Sequence, residues 1–348
     1  MRSVTRSLTT ALIVAAVMLV PPAFNRGTLS SQSAPASRSS AKSDRARFVG
    51  TYELVTMEVK DPATGKWSPT QGFSSNGYII YADTGHMAVQ IMPKVRARFA
   101  GTPPTPEEAQ AALLGYTAYF GSFAVTDKEQ DRFVVHHRFG QINPGADADL
   151  KRFYDFVITP NGSERLILTP APSGGGGKDT ATNRVVWQRM LDAPLSAEAK
   201  KFVGFWRLRY ADSYRTKDGK DVFHGDRNET RAGTSYIIYT NSGHMMAHLM
   251  NREGRTKYAS SQPTPEEALK AFSSYAGYFG RFIPYENQSP PFVYHSQQGS
   301  LTPGSYSEQK RFYQFNGNVL RLGAPPNLND QGELAGGHLY WEKQGPIN

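Results

Sequence analysis

Along most of this chain, apolar and polar residues alternate in short runs with a period of two. That spacing turns one side of each run inward and the other outward, as in half-buried β-strands. In the N-terminal half the runs fall near residues 50–59, 77–82, 86–92, 121–127, 131–141, 150–158, 164–169 and 183–190. Gly, Asn, Asp and Pro separate most of them, as hairpin turns require. One segment, near 105–120, changes period and predicts a helix. Thr105 is placed to cap it, Pro106 takes its first position and Glu108 completes a Thr-x-x-Glu capping box. Ala109, Leu113, Tyr116 and Phe120 then recur at helical spacing, and Gly121 is placed to end the helix.

The whole pattern is repeated. Phe48-Val49-Gly50 returns as Phe202-Val203-Gly204, Tyr78-Ile79-Ile80-Tyr81 as Tyr236-Ile237-Ile238-Tyr239, and Gly85-His86-Met87 as Gly243-His244-Met245. Thr105-Pro106-Glu107-Glu108 returns as Thr264-Pro265-Glu266-Glu267, Lys151-Arg152-Phe153-Tyr154 as Lys310-Arg311-Phe312-Tyr313, and Trp187 as Trp341. A period this long makes each copy a whole domain rather than a solenoid repeat. The expected organisation is a first domain over 48–191, a hinge over 192–201 containing Pro194 and Ser196, and a second domain over 202–344. Eight mostly antiparallel strands per copy make the fold all-β, with one inserted α-helix in each. They suit a closed up-and-down barrel, which removes exposed edges and leaves room for one small ligand; a β-sandwich is the competing arrangement.

Composition narrows the functional classes. Aromatics are 12% of the 348 residues, with 18 Tyr and 19 Phe, which favours strands. The formal charge of +9 comes from scattered Lys and Arg with no basic block, which argues against a nucleic-acid partner. The absence of cysteine removes disulfides, thiolate metal sites and cysteine nucleophiles. Arg2 and Arg6, the apolar stretch from Leu8 to Val20 and a candidate cut after Ala23 read as an export signal over 1–23, giving a periplasmic or secreted protein with no stable membrane span once the signal is cut. Residues 24–47 read as a disordered spacer.

The combination of motifs resembles the bacterial and fungal lipocalin-like domain family of the calycin superfamily, with two domains in tandem. The matching pieces are Gly50-Thr51-Tyr52 and Gly204-Phe205-Trp206 at the first strands, the Tyr-Ile-Ile-Tyr and Gly-His-Met hairpins, the Thr-Pro-Glu-Glu helices, the His136 and His295 strands, and Lys-Arg-Phe-Tyr. Copy one departs from the Gly-x-Trp signature at Tyr52. The resemblance implies tandem lipocalin-like barrels with an internal pocket for a small apolar molecule. It also implies an alternative: a cofactor-independent isomerase or cyclase acting on an apolar metabolite.

Several side chains are candidates for that pocket. His136 and His295 lie mid-strand in apolar company, either as hydrogen-bonded core residues, as ligand donors, or as the general acid-base of the enzyme alternative. His86 and His244 follow Gly turns, as exposed rim residues or as donors at the pocket mouth. Arg152 and Arg311 share strand faces with Tyr154 and Tyr313, and either pair with a ligand carboxylate or stack on Tyr52 and Trp206 to close the barrel base, a role for which Arg189 and Lys343 compete. Tyr116 and Tyr275 lie on the apolar helix faces, as core or pocket lining. No cofactor motif is present. A metal site is not expected either: His136 and His137 point to opposite faces of a strand, and His244 and His248 lie about 13 Å apart at ~3.3 Å per residue. The acids repeated in both copies, Glu107-Glu108 and Glu266-Glu267, are explained by helix capping rather than catalysis.

Overall fold

A computed structural model describes residues 41–126, 132–145, 149–172, 177–304 and 306–347. The expected export signal, spacer residues 24–40 and most of the Gly174–Gly177 loop lie outside the described residues. The first copy contains helices α1 (Ala41–Phe48) and α2 (Pro106–Leu113) and strands β1 (Gly50–Lys60), β2 (Trp67–Pro69), β3 (Ser75–Tyr81), β4 (His86–Pro93), β5 (Thr117–Thr126), β6 (Phe133–Gln141), β7 (Leu150–Ile158), β8 (Glu164–Pro170) and β9 (Asn183–Arg189). The second contains α3 (Ala197–Phe202), α4 (Pro265–Ser273), β10 (Gly204–Lys217), β11 (Lys220–His224), β12 (Tyr236–Tyr239), β13 (His244–Met250), β14 (Tyr275–Tyr285), β15 (Phe292–Ser300), β16 (Glu308–Asn316), β17 (Val319–Gly323), β18 (Asn327–Leu328) and β19 (Leu334–Lys343).

Each copy is a closed antiparallel barrel. In the first, β1 pairs with β3 and the ladder runs in chain order to β9, which returns to β1; β2 hangs off the far end of β1. The second closes in the same way through β10 and β19, with β11 and β18 as side strands. Closure leaves each barrel eight main strands with every edge paired. The glycine of the Gly-x-Tyr/Trp signature has a local reason: Gly50 and Gly204 hold φ of +148° and +144°, and a Cβ there would press on the side chains of Arg189 and Lys343.

Three sequence expectations are corrected. The predicted helix over 105–120 stops at Leu113, and its counterpart stops at Ser273. The Thr105 and Thr264 capping boxes form as expected. Beyond Gly115, at φ +73°, the chain pairs with β4 and β6, so a long-range ladder outweighs the helical spacing of Tyr116 and Phe120. Gly121 is therefore not a helix terminator. It sits at a bulge in β5, where a Cβ would lie 1.9 Å from the His137 carbonyl oxygen. Finally, residues 41–48 are not spacer but helix α1. It inserts Phe48 among Tyr81, Tyr154 and Phe156, and α3 inserts Phe202 among Tyr239, Tyr313 and Phe315. Each barrel is thus capped at one end by the helix that precedes it.

The two barrels pack through a third apolar core. On β3 and β4, Ile79, Tyr81, Met87 and Val89 face the first barrel's interior, while Tyr78, Ile80, Ala88 and Met92 join Phe205, Tyr236, Ile238, Met246 and Phe279 of the second copy. Helices α2 and α4 pack together on this seam. At its centre Gln90 meets its own counterpart, His248, at 3.4 Å, and donates to the Ala247 carbonyl at 2.8 Å. Arg96 and Arg255, also counterparts, each reach across. Arg96 donates to the Ala112 carbonyl in its own copy and to Ser300 and Leu301 in the other, at 2.6–2.7 Å. Arg255 donates to Gln141 and Ile142 at 2.7–2.8 Å and to Ser274 in its own copy.

Removing either guanidinium strands several carbonyls at the seam. Arg96→Ala and Arg255→Ala should each cost about 2–4 kcal/mol, read as a lowered urea midpoint. A surface substitution such as Lys220→Ala, at an exposed position, should shift it far less.

Candidate functional site

The interiors carry one polar motif each. His136 is fully buried, with its Nε2 2.9 Å from the Tyr81 hydroxyl and its Nδ1 2.9 Å from that of Tyr119. His295 repeats this with Tyr239 at 2.9 Å and Tyr278 at 3.0 Å. Strand alternation produces the motif. Tyr81 and Tyr239 end β3 and β12, Tyr119 and Tyr278 lie in β5 and β14, and each histidine comes from the next strand, β6 or β15. Burial, reinforced by Arg152 and Arg311, lowers both imidazoles to about 3, and burial pushes all four tyrosine hydroxyls up. At neutral pH the histidines are uncharged, with both nitrogens engaged. As general bases they would first have to give up a tyrosine, which weakens the acid-base role expected of His136 and His295.

Arg152 and Arg311 stand beside these triads. The barrel-base role falls instead to Arg189 and Lys343, which lie over the rings of Tyr52 and Trp206 at 5.4 and 5.3 Å. Arg189 also donates to the Arg47 and Val49 carbonyls, and the Trp206 indole donates to the Phe202 carbonyl at 2.7 Å. Arg311 bonds the Lys310 carbonyl and the Gln309 side chain, and Arg152 bonds the Lys151 carbonyl. Neither has a carboxylate partner among the described residues. Each interior therefore holds a cation with coordinating capacity to spare.

In the second barrel these groups border a cavity of about 290 Å³. Its walls are Ile237, Leu249, Leu322, Leu339 and Trp341, and its polar side is Tyr278, His295 and Arg311. Asp212 and His338 border the open end but alternate with the inward Ala211 and Leu339, so they turn outward. There His338 donates to Asp212 at 2.9 Å and Tyr340 does so at 2.8 Å. Ala211 leaves room on one wall. Its counterpart in the first barrel is Met57, whose side chain packs against that barrel's core.

The other candidates are placed elsewhere. Tyr154 and Tyr313 lie at the capped ends against Phe48 and Phe202, with Tyr154 donating to Asp44 at 2.9 Å. His86 and His244 are neither exposed rim residues nor at a barrel mouth. Both are buried at the seam, His86 stacked on Phe205 at 4.7 Å and His244 edge-on to Tyr78 at 5.1 Å. Tyr116 and Tyr275 are there too, bonded to Gln90 at 2.7 Å and His248 at 2.5 Å. The tyrosines that hold His136 and His295 escaped the sequence reading, although the Tyr-Ile-Ile-Tyr repeat carried two of them. Tyr119 and Tyr278 were hidden by the overlong helix. Among the described residues no cluster of three or more metal-ligating side chains occurs.

Burial makes the fold acid-sensitive. His86 is lowered to about 4, and His136, His248 and His295 to about 3, against an ordinary value of 6.5. Between those values the unfolded chain binds protons that the folded chain does not. Stability is therefore complete above pH 6.5 and falls as the pH drops from there toward 3, by up to ~1.4 kcal/mol per pH unit for each histidine. His248→Gln, which installs the residue its counterpart Gln90 already has, should flatten this slope in urea titrations between pH 7 and 4.

A family model described as a lipocalin-like domain matches the chain twice, over residues 49–190 and 203–344. No curated protein gives a significant match. With both barrels closed and both matched almost from cap to last strand, the chain belongs to the lipocalin-like domain family, which it carries as two domains in tandem.

Proposed function

We propose that this is an exported protein that holds a small, mostly apolar molecule inside its second barrel. The lipocalin-like barrel is a fold suited to small ligands, and the observation that carries the reading is the cavity of about 290 Å³, apolar on most sides with a few convergent polar groups. That volume of about 290 Å³ lies just under the ~300–1,000 Å³ of small-molecule sites, so the ligand is small. The first barrel has the same triad, but Met57 packs where Ala211 leaves space, which supports a role as structural partner across the seam. Export rests on the basic and apolar N-terminus. Among the described residues no helix is long and apolar enough to cross a membrane.

Native mass spectrometry and thermal shift against small aliphatic and aromatic molecules test the binding reading. The intact protein should take up one molecule and gain stability, by about 2.7 kcal/mol at a hundredfold excess over Kd. Ala211→Met should abolish uptake while leaving the protein folded. Met57→Ala should open the first barrel to the same molecules at the expense of about 1–3 kcal/mol of stability. Uptake unaffected by Ala211→Met would place the ligand elsewhere.

A further inference from the structure

The donors and acceptors inside the second barrel set the polarity that a ligand there must complement. Tyr239, His295 and Tyr278 together hold three protons, two hydroxyl and one imidazole, because the imidazole is neutral. The two bonds that join them use two of the three. The third must point away from the chain of bonds at one end or the other. Tyr239 is 1% exposed, wedged against Phe202 at the capped end, and makes no second hydrogen bond among the described residues. A spare proton there would be a buried donor without an acceptor, at a cost of about 1–3 kcal/mol. The spare proton therefore belongs to Tyr278, which borders the cavity. The order is fixed: Tyr239 donates to Nε2 of His295, Nδ1–H donates to Tyr278, and the Tyr278 hydroxyl donates into the chamber.

A further group of the same polarity shares that chamber. Arg311 borders it without a carboxylate partner, as described above. Trp341 lines it with its ring alone: its indole N–H has no acceptor among the described residues but is fully enclosed, like that of its counterpart Trp187, and does not open onto the cavity. Asp212, the only carboxylate bordering the cavity among the described residues, faces outward, with its oxygens engaged by His338 and Tyr340. Every inward polar side chain thus offers a donor, and one of them is cationic. Taking Tyr278–Arg311 as the polar pole of the binding chamber proposed above, we infer that the ligand is a small monocarboxylate with an apolar body. Arg311 and the Tyr278 hydroxyl receive its carboxylate, and the Leu322, Leu339 and Trp341 wall its body. Tyr239 and His295 are positioning residues that fix the direction of the Tyr278 proton. An amine of the same shape would meet only donors and a like charge, and is excluded.

Three probes of one chain length separate the terms: octanoate, 1-octanol and octylamine, titrated calorimetrically into the full-length protein at pH 7. Octanoate should bind tightest, 1-octanol about tenfold or more weaker, and octylamine undetectably. Arg311→Gln should erase the advantage of octanoate while leaving 1-octanol within about twofold, and Arg311→Lys, which keeps the charge, should restore part of it. Tyr278→Phe should weaken octanoate more than 1-octanol. Equal affinity for octanoate and 1-octanol, unchanged by Arg311→Gln, would overturn the carboxylate inference while leaving the chamber standing. Failure of all three probes, or uptake indifferent to Ala211→Met, would overturn the chamber and the carboxylate inference together.

Discussion

The structure depends on strands that have no solvent side. In β3, β4, β12 and β13, alternate residues fill a barrel and the residues between them fill the seam. A barrel wall normally faces water on its outside; here Ile80, Ala88, Ile238 and Met246 meet one another instead. The two barrels are therefore one hydrophobic body with three cores, and neither outer face of the seam could be exposed without a large apolar patch. Buried polar atoms along that seam must then be paired, and Gln90 with His248, Tyr116, Tyr275, Arg96 and Arg255 do this in counterpart pairs.

The same constraint inside the barrels produces the chemistry. A histidine that burial keeps neutral has one donor and one acceptor, so two tyrosines satisfy it and leave a single hydroxyl proton over. Both barrels contain this arrangement, and their interiors differ in local filling. Where the first barrel has Met57, the second has Ala211, and the triad there borders open space beside Arg311, which has no carboxylate partner among the described residues. The two copies share one scaffold and differ at this position in how much of the interior is filled.

Much of this was legible in the residues. The repeat, the eight strands of each copy and the capping boxes followed from periodicity and motif spacing, because those signals are local or self-similar; closure into barrels rather than a sandwich followed from the resemblance to lipocalin-like domains. The bulge at Gly121 and the short helices were not legible, since cross-strand pairing there overrides a helical spacing that Tyr116 and Phe120 happen to satisfy. His136, His295, Arg152 and Arg311 lie on inward strand faces, as alternation along their strands implies, but the barrel-base role expected of the two arginines belongs to Arg189 and Lys343. His86, His244, Tyr116 and Tyr275 are repeated for a different reason, the seam, which is invisible to a reading that treats each copy as an isolated barrel. The decisive position, Ala211, carries no chemistry at all and is found only by asking what its counterpart fills.

The central claim is that the second barrel's interior is the binding chamber. Intermolecular nuclear Overhauser effects between a bound octanoate and methyl-labelled protein test it most directly. Contacts to the methyls of Leu249, Leu322 and Leu339 are predicted, with none to their first-barrel counterparts Ile91, Leu168 and Val185. Contacts to that second set, or to Leu114 and Leu113 in the groove beside helix α2, would contradict it.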